Sequence, residues 1–378
     1  MLENVQRKRA YPVRGDSRPN SRREYPVMKI LALDLGNYKT VGCEYERASG
    51  RHRFRVAATT PSGLRQLVQE VKPDRVVIEI CSIAGWVSDL MRGMGIEIQV
   101  ANTSDDSWRW RKVKKKNDRQ DALKAARLSA VNQIREVYIP RIDVRQWRAL
   151  IAYRQQMVWR RTKIKNHIRD LLLREGQILP RGQKCWTQLG IATLTAMARP
   201  FTEVGPEELW RAELGLELAQ LGEVQQKVEA IEEKLNAIGA ADARVQLLRT
   251  IPGVGPRLSE AIVALLDDPE RFGKVGQVSA YIGMVPKELD SGETERRGRI
   301  TRHGNRLVRS LLVEVAWAGL RHNPWVRENY QRISGGKKSR KKIAIVAVGR
   351  KLLVRCWAML RDQKPWRYEI KIDTRAAA

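Results

Sequence analysis

Lys114-Lys115-Lys116-Asn117-Asp118-Arg119-Gln120-Asp121, continued by Ala122-Leu123-Lys124-Ala125-Ala126-Arg127-Leu128, is the stretch from which fold and chemistry are both read. Two carboxylates three residues apart at the start of a helical pattern lie on one helix face, with about 5–6 Å between Cβ atoms. That is close enough to share a divalent cation. The basic run ahead of them draws anionic phosphate to the place where a metal would sit, as in a nuclease-like site.

Upstream, an α/β layer is expected. Met28 to Leu35 is an apolar run, Gly36-Asn37 a turn signal, and Val41 to Tyr45 an alternating run, which together read as strand, hairpin and strand. Pro61 to Val71 carries Leu64, Leu67, Val68 and Val71 at helical spacing. Arg75-Val76-Val77-Ile78-Glu79 reads as a strand buried on both faces, Ala84 to Gly93 as a helix, and Ile96 to Val100 as another strand. Asp34 and Glu79 each end one of these apolar strands, where a carboxylate is costly without a partner. From the residues alone, Asp34 serves equally well as a turn cap, and Glu79 as a strand-end residue reaching solvent.

Composition points to a polyanionic partner. The chain has 378 residues, with 71 Lys and Arg against 42 Asp and Glu, a net charge of +29 and a pI near 10.4. No apolar run approaches the roughly 20 residues of a membrane span and no signal peptide is evident, so a soluble, cytoplasmic protein is expected. The four cysteines, Cys43, Cys81, Cys185 and Cys356, lack metal-site spacing and read as buried thiols. Any metal is therefore expected to be a hard cation held by oxygen. Residues 1–27 and 369–378 read as tails, the first being a disordered basic segment or a misassigned start ahead of Met28.

Downstream the pattern becomes helical. Residues 142–175 carry Val144, Trp147, Leu150, Ile151, Tyr153, Ile164, Ile168, Leu171 and Leu172 at spacings of three and four. Residues 206–247 do the same through Leu209, Leu214, Leu218, Leu221, Val224, Val228, Ile231 and Leu235. A helical arm or antiparallel coiled coil is expected. Next, Ile251-Pro252-Gly253-Val254-Gly255 between two helical runs signals a helix-hairpin-helix, where Gly253 and Gly255 would let backbone amides hold a phosphate. Residues 281–305 read as a long polar loop ending at Asn305, a helix cap, and Lys341 to Leu360 as a basic helix carrying Ile343, Val346, Leu352, Leu353 and Trp357 inward. Lys341 and Lys342 suit phosphate contact, as a solvated charge run equally would. Trp108-Arg109-Trp110 with Lys114, Lys115 and Lys116 interleaves aromatics with cations, which suits unpaired bases on a phosphate backbone; core packing of Trp108 and Trp110 is the competing reading.

Taken together, Asn117-Asp118-Arg119-Gln120-Asp121-Ala122, the Pro-Gly-Val-Gly turn, and Ser291-Gly292 followed by Gly298-Arg299-Ile300-Thr301-Arg302-His303-Gly304-Asn305 resemble the transposases of insertion-sequence family 110. The resemblance implies a ribonuclease-H-like (RuvC-like) domain over residues 28–141, a helical coiled-coil region over 142–246, and a mainly α C-terminal transposase domain over 247–368. It makes Asp34, Glu79, Asp118 and Asp121 a metal-binding quartet, served by Mg²⁺ and by two ions if the usual two-metal arrangement holds. It makes Ser291 the nucleophile, with Arg296, Arg297, Arg299 and Arg302 on the nucleic acid. It further implies recombination of element and target DNA guided by a structured noncoding bridge RNA, and dimers or tetramers with composite active sites in a prokaryotic cytoplasm. The alternatives are a hydrolytic structure-selective nuclease using the same quartet and a catalytically silent nucleic-acid scaffold. An actin-like ATPase built on Asp34-Leu35-Gly36 is disfavoured by the lack of a later glycine-rich adenosine site.

Overall fold

The structure, a computed structural model, describes residues 28–103, 117–180, 182–288 and 297–368. The chain divides into two compact units at Ile142/Asp143.

In the first unit, β1 (Lys29–Leu35), β2 (Lys39–Glu46), β3 (His52–Ala58), β4 (Arg75–Glu79) and β5 (Glu97–Ala101) form one mixed sheet in the order β3-β2-β1-β4-β5. β1, β2 and β3 are antiparallel, whereas β4 and β5 run parallel to β1. The parallel pairs require crossovers, which α1 (Pro61–Val71) and α2 (Ala84–Gly93) supply. Thr60 caps α1 by accepting from the Gly63 amide at 3.1 Å, and Pro61 opens the helix where no amide hydrogen bond is lost. The arrangement is consistent with the expected RuvC-like domain. β3 is a strand that the sequence reading passed over, because His52-Arg53-Phe54-Arg55 alternates too weakly in hydropathy; it is an edge strand held by β2.

Strand alternation sorts the sheet into two faces. Leu31, Leu33, Val76 and Ile78 pack under α1 and α2 with Leu64, Leu67 and Val87. Ile30, Ala32, Cys43 and Val77 pack on the other face against Ala122, Leu123, Ala125 and Ala126 of α3 (Asp118–Ala130). Each fully buried Leu or Ile contributes about 1.5–3 kcal/mol, which fixes the register, since a slip of one residue would exchange the two faces.

The second unit is helical. In the hairpin of α4 (Ile142–Arg174) and α6 (Leu209–Ala241), Arg154 reaches Glu232, Arg161 donates to Gln225 at 2.9 Å and His167 meets Glu213 at 2.9 Å. Partner numbers fall as the chain rises, so the helices are antiparallel. Ile164, Ile168, Leu171 and Leu172 pack on Leu214, Leu221 and Val224, with Leu194 of α5 (Gln188–Met197) between them. Tyr153 and Leu209, expected in the apolar stripes, are exposed, because both stripes run one position out of phase with them. The helical run expected over 206–247 breaks at Asp242, whose carboxylate accepts from the Arg244 amide at 2.8 Å and starts α7 (Ala243–Arg249).

Beyond it lie α8 (Pro256–Leu266), α9 (Val275–Tyr281), α10 (Arg306–His322), α11 (Pro324–Ser334) and α12 (Lys341–Asp362) around one core that includes Leu248, Ile262, Val278, Leu312, Leu353 and Trp357. The expected polar loop contains a two-stranded ribbon, β6 (Pro286–Glu288) with β7 (Arg297–Ile300). Ile343 is exposed instead of inward, because Ala344, Ile345 and Val348 set the buried face of α12. Cys81 is likewise exposed, while Cys43, Cys185 and Cys356 are buried as expected. Among the described residues no helix is long and apolar enough to cross a membrane.

Candidate active site and nucleic-acid surface

The first unit brings all four predicted acidic residues to one side of the sheet. On β1 the residues two and four before Asp34 are Ala32 and Ile30, both packed beneath α3, so the pleat turns Asp34 to that face. On β4, Val77 is beneath α3 and Glu79 follows two residues later. Leu33 pairs with Ile78 in the parallel register, which sets Asp34 and Glu79 on adjacent strands, spaced by about 4.8 Å between backbones. Both are half-buried.

α3 adds its two carboxylates on the same side of the sheet because it runs antiparallel to β4. Its C-terminal end is tied down by a polar network in which Ser129 donates to Gln99 at 2.6 Å, Gln99 to Glu136 at 3.0 Å, and Arg75 reaches Ser129 at 3.5 Å. Its N-terminus therefore lies over the C-terminal ends of the strands. Asn117 caps it by accepting from the Arg119 amide at 3.0 Å. Asp118 and Asp121 occupy the first turn, where the helix dipole stabilises each by about 0.3–1 kcal/mol. Asp118 is exposed and Asp121 half-buried.

Lys124, one turn beyond Asp121, is a member of this cluster that the sequence reading missed. Burial pulls its ammonium below the ordinary lysine value, while the carboxylates of Asp121 and Glu79 act in the opposite direction. The same ammonium thus lies in the field of an acidic residue from α3 and one from β4. Its position three residues after Asp121 was the available signal.

The donor set is entirely carboxylate oxygen, which fits a hard divalent cation and not a thiolate- or imidazole-bound metal. Among the described residues, no three His, Cys, Asp or Glu side chains gather closely enough to hold an ion together.

In the second unit, the turn between α7 and α8 has Gly253 at φ +88°, a conformation L side chains rarely adopt. Asn323 fixes the turn by donating to the Pro252 carbonyl at 3.0 Å. Gly255 precedes α8 as an N-cap with no side-chain hydrogen bond, is exposed, and has open space where a Cβ would stand. Lys341 and Lys342 are exposed at the start of α12. Arg299 is exposed on β7, and Arg302 follows it at φ +60°. Arg297 pairs through its backbone with Glu288. Ser291, Arg296, Trp108, Trp110, Lys114, Lys115 and Lys116 lie outside the described residues.

Two family models match the chain. Residues 31–175 match the family model of DEDD transposases of the IS110 type, and residues 245–331 match the family described as transposase IS116/IS110/IS902. The transposase for insertion sequence element IS1111A of Coxiella burnetii is 29% identical over 92% of this chain and 93% of its own length. A probable family 20 transposase of Pseudomonas aeruginosa is 26% identical over 80% of this chain and 89% of its own. The transposase for insertion sequence element IS1328 of Yersinia enterocolitica is 25% identical over 77% of this chain and 84% of its own.

Proposed function

The chain belongs to the transposases of insertion-sequence family 110, and from that premise we propose that it exchanges DNA strands through a covalent serine–phosphate link. The observation that carries the acidic half of this reading is the convergence of strand alternation and helix direction, which turns Asp34, Glu79, Asp118 and Asp121 to one face. An enzyme that only bound DNA would gain nothing from four like charges on one edge, since their repulsion costs stability.

In this reading the quartet holds a divalent cation, Mg²⁺ by its hardness, which when bound supplies charge neutralisation at the phosphoryl group. Lys124 stands in the field of Asp121 and Glu79 beside the place the cation would take. Ser291 attacks phosphorus through Oγ: a serine–phosphate bond forms, the bond to one strand's oxygen breaks, and the serine proton passes to solvent while the departing oxygen takes one up. The phosphodiester energy is retained in the adduct, so another strand's hydroxyl can reverse the step and join a new pair of ends. Arg296, Arg297 and Arg299 offset charge on the phosphoryl oxygens.

The Gly253–Gly255 turn serves as a helix-hairpin-helix phosphate contact, and Trp108, Trp110 and Lys114 to Lys116 contact a structured guide RNA. The acidic set of one protomer meets the serine of another. Sequence choice then resides in base pairing to the guide.

The test is covalent trapping. Purified protein, guide RNA, labelled DNA carrying an element junction and Mg²⁺ are incubated and resolved on a denaturing gel, with Ser291→Ala and Asp121→Ala in parallel. A DNA-linked protein band that requires metal and vanishes in both variants is expected. Cleaved DNA with no adduct, unaffected by the serine change, would establish a hydrolytic nuclease instead.

A further inference from the structure

A pocket of about 700 Å³ opens along the first two turns of α10, lined by Arg302, Arg306 and Arg309 with Ser310 and Glu314, over an apolar floor that includes Met284 and Val346. Its walls are joined by hydrogen bonds. Arg302 donates its amide to Gly283 at 3.0 Å, and Arg309 donates from Nη1 to the carbonyls of Ile282 and His303, each at 2.7 Å. Gly283 and Gly304, both at positive φ, let these two segments cross so closely that a Cβ on Gly304 would stand 2.1 Å from the Tyr281 carbonyl oxygen. The crossing leaves Arg302 and Arg306 exposed above a half-buried Arg309.

The charges are not balanced. None of the salt bridges among the described residues involves Arg302, Arg306 or Arg309. Arg309 is pulled below the ordinary arginine value by burial first, and then by Arg302 and Arg306. Its hydrogen bonds go to carbonyls, which orient it without neutralising it. Two exposed guanidiniums beside a third that is anchored to backbone carbonyls, with one exposed carboxylate at the far end, make a site whose repulsion an incoming anion relieves.

We propose that this pocket is a nucleic-acid backbone site in which Arg302 and Arg306 hold one phosphodiester and the adjoining nucleotide covers the apolar floor. A lone phosphate would leave most of the volume empty, whereas a nucleotide of a strand uses both the guanidiniums and the floor. The inference rests on the transposase reading only in that the ligand is nucleic acid; it concerns binding and not strand transfer.

The test is anisotropy of the full-length protein with labelled duplex DNA, single-stranded DNA and RNA of one sequence, without divalent metal, from 50 to 300 mM KCl. Losing the contact to that one phosphodiester in Arg302→Ala/Arg306→Ala should flatten the log–log salt slope by about 0.9 on a duplex or about 0.7 on a single strand. The probe showing the loss identifies the strand form. Glu314→Gln should tighten binding roughly 1.5- to 5-fold, a gain that misfolding cannot produce. Arg65→Ala on α1 serves as a charge control and should leave the slope within error. An unchanged slope in the double variant on all three probes overturns the proposal, as does an equal loss per charge at Arg65. Because no strand transfer is read, this result and the adduct result can fail independently.

Discussion

Asp34 and Glu79 end adjacent parallel strands one residue beyond the Leu33–Ile78 pair, and both turn to the face covered by α3. Two half-buried carboxylates in that relation repel, and Lys124 lies in the field of Glu79 and of Asp121 on α3.

Replacing Asp34 or Glu79 by the matching amide should therefore leave thermal stability unchanged or raise it, while DNA processing falls by roughly 10³-fold, several kcal/mol of barrier. Melting curves and adduct yield on the same preparations check both halves. A variant that loses stability and activity together would mark the carboxylate as structural.

Glu260 of α8 predicts a pH dependence. It is 1% exposed, lies 3.2 Å from Arg257 without hydrogen-bond geometry, and faces Gly239 of α6. Burial pushes its carboxyl up to about 7, against the opposing pull of Arg257, Arg154 and Arg249, with Glu232 adding to the rise. The native state then holds a proton that the unfolded state releases near 4.5. Stability should fall as pH rises from about 4.5 to 7 and level off above, by on the order of 2–3 kcal/mol in all. Chemical denaturation of wild type and Glu260→Gln at pH 5 and pH 8 checks this, the variant showing a shallower fall.

Gly304→Ala should destabilise the second unit by more than about 1 kcal/mol, since φ is +75° and the new Cβ would meet the Tyr281 carbonyl. Gly255→Ala, where space is open and alanine is only a poorer N-cap, should cost less, about 0.5 kcal/mol. Paired melting temperatures test the contrast.

Arg154→Ala should cost about 1–2 kcal/mol, because it leaves Glu232 half-buried without the guanidinium that joins α4 to α6. A double-mutant cycle with Glu232→Gln isolates the coupling, which should approach zero if the hairpin is held by its apolar seam alone.

The sequence by itself determined which local elements form and which carry unusual chemistry. The apolar runs at Lys29–Leu35 and Arg75–Glu79, the Asn305 cap, and the Asp118/Asp121 spacing are local signals whose physics is complete within a few residues. The edge strand His52–Ala58 escaped because its place depends on pairing with β2, and the ribbon β6–β7 because three or four residues carry no period. Ile343 and Tyr153 were misassigned because a helix with apolar residues on several sides does not state which side is inward; the neighbouring elements decide. Only tertiary structure could bring Asp34, Glu79 and the start of α3 to one face, since that needs a parallel register and a helix direction fixed by Arg75, Gln99 and Ser129 far along the chain. Arg302, Arg306 and Arg309 are neighbours in the sequence, but the apolar floor beneath them, Met284 and Val346, comes from other elements, and the 281–283 and 302–304 segments cross there only because Gly283 and Gly304 stand at positive φ.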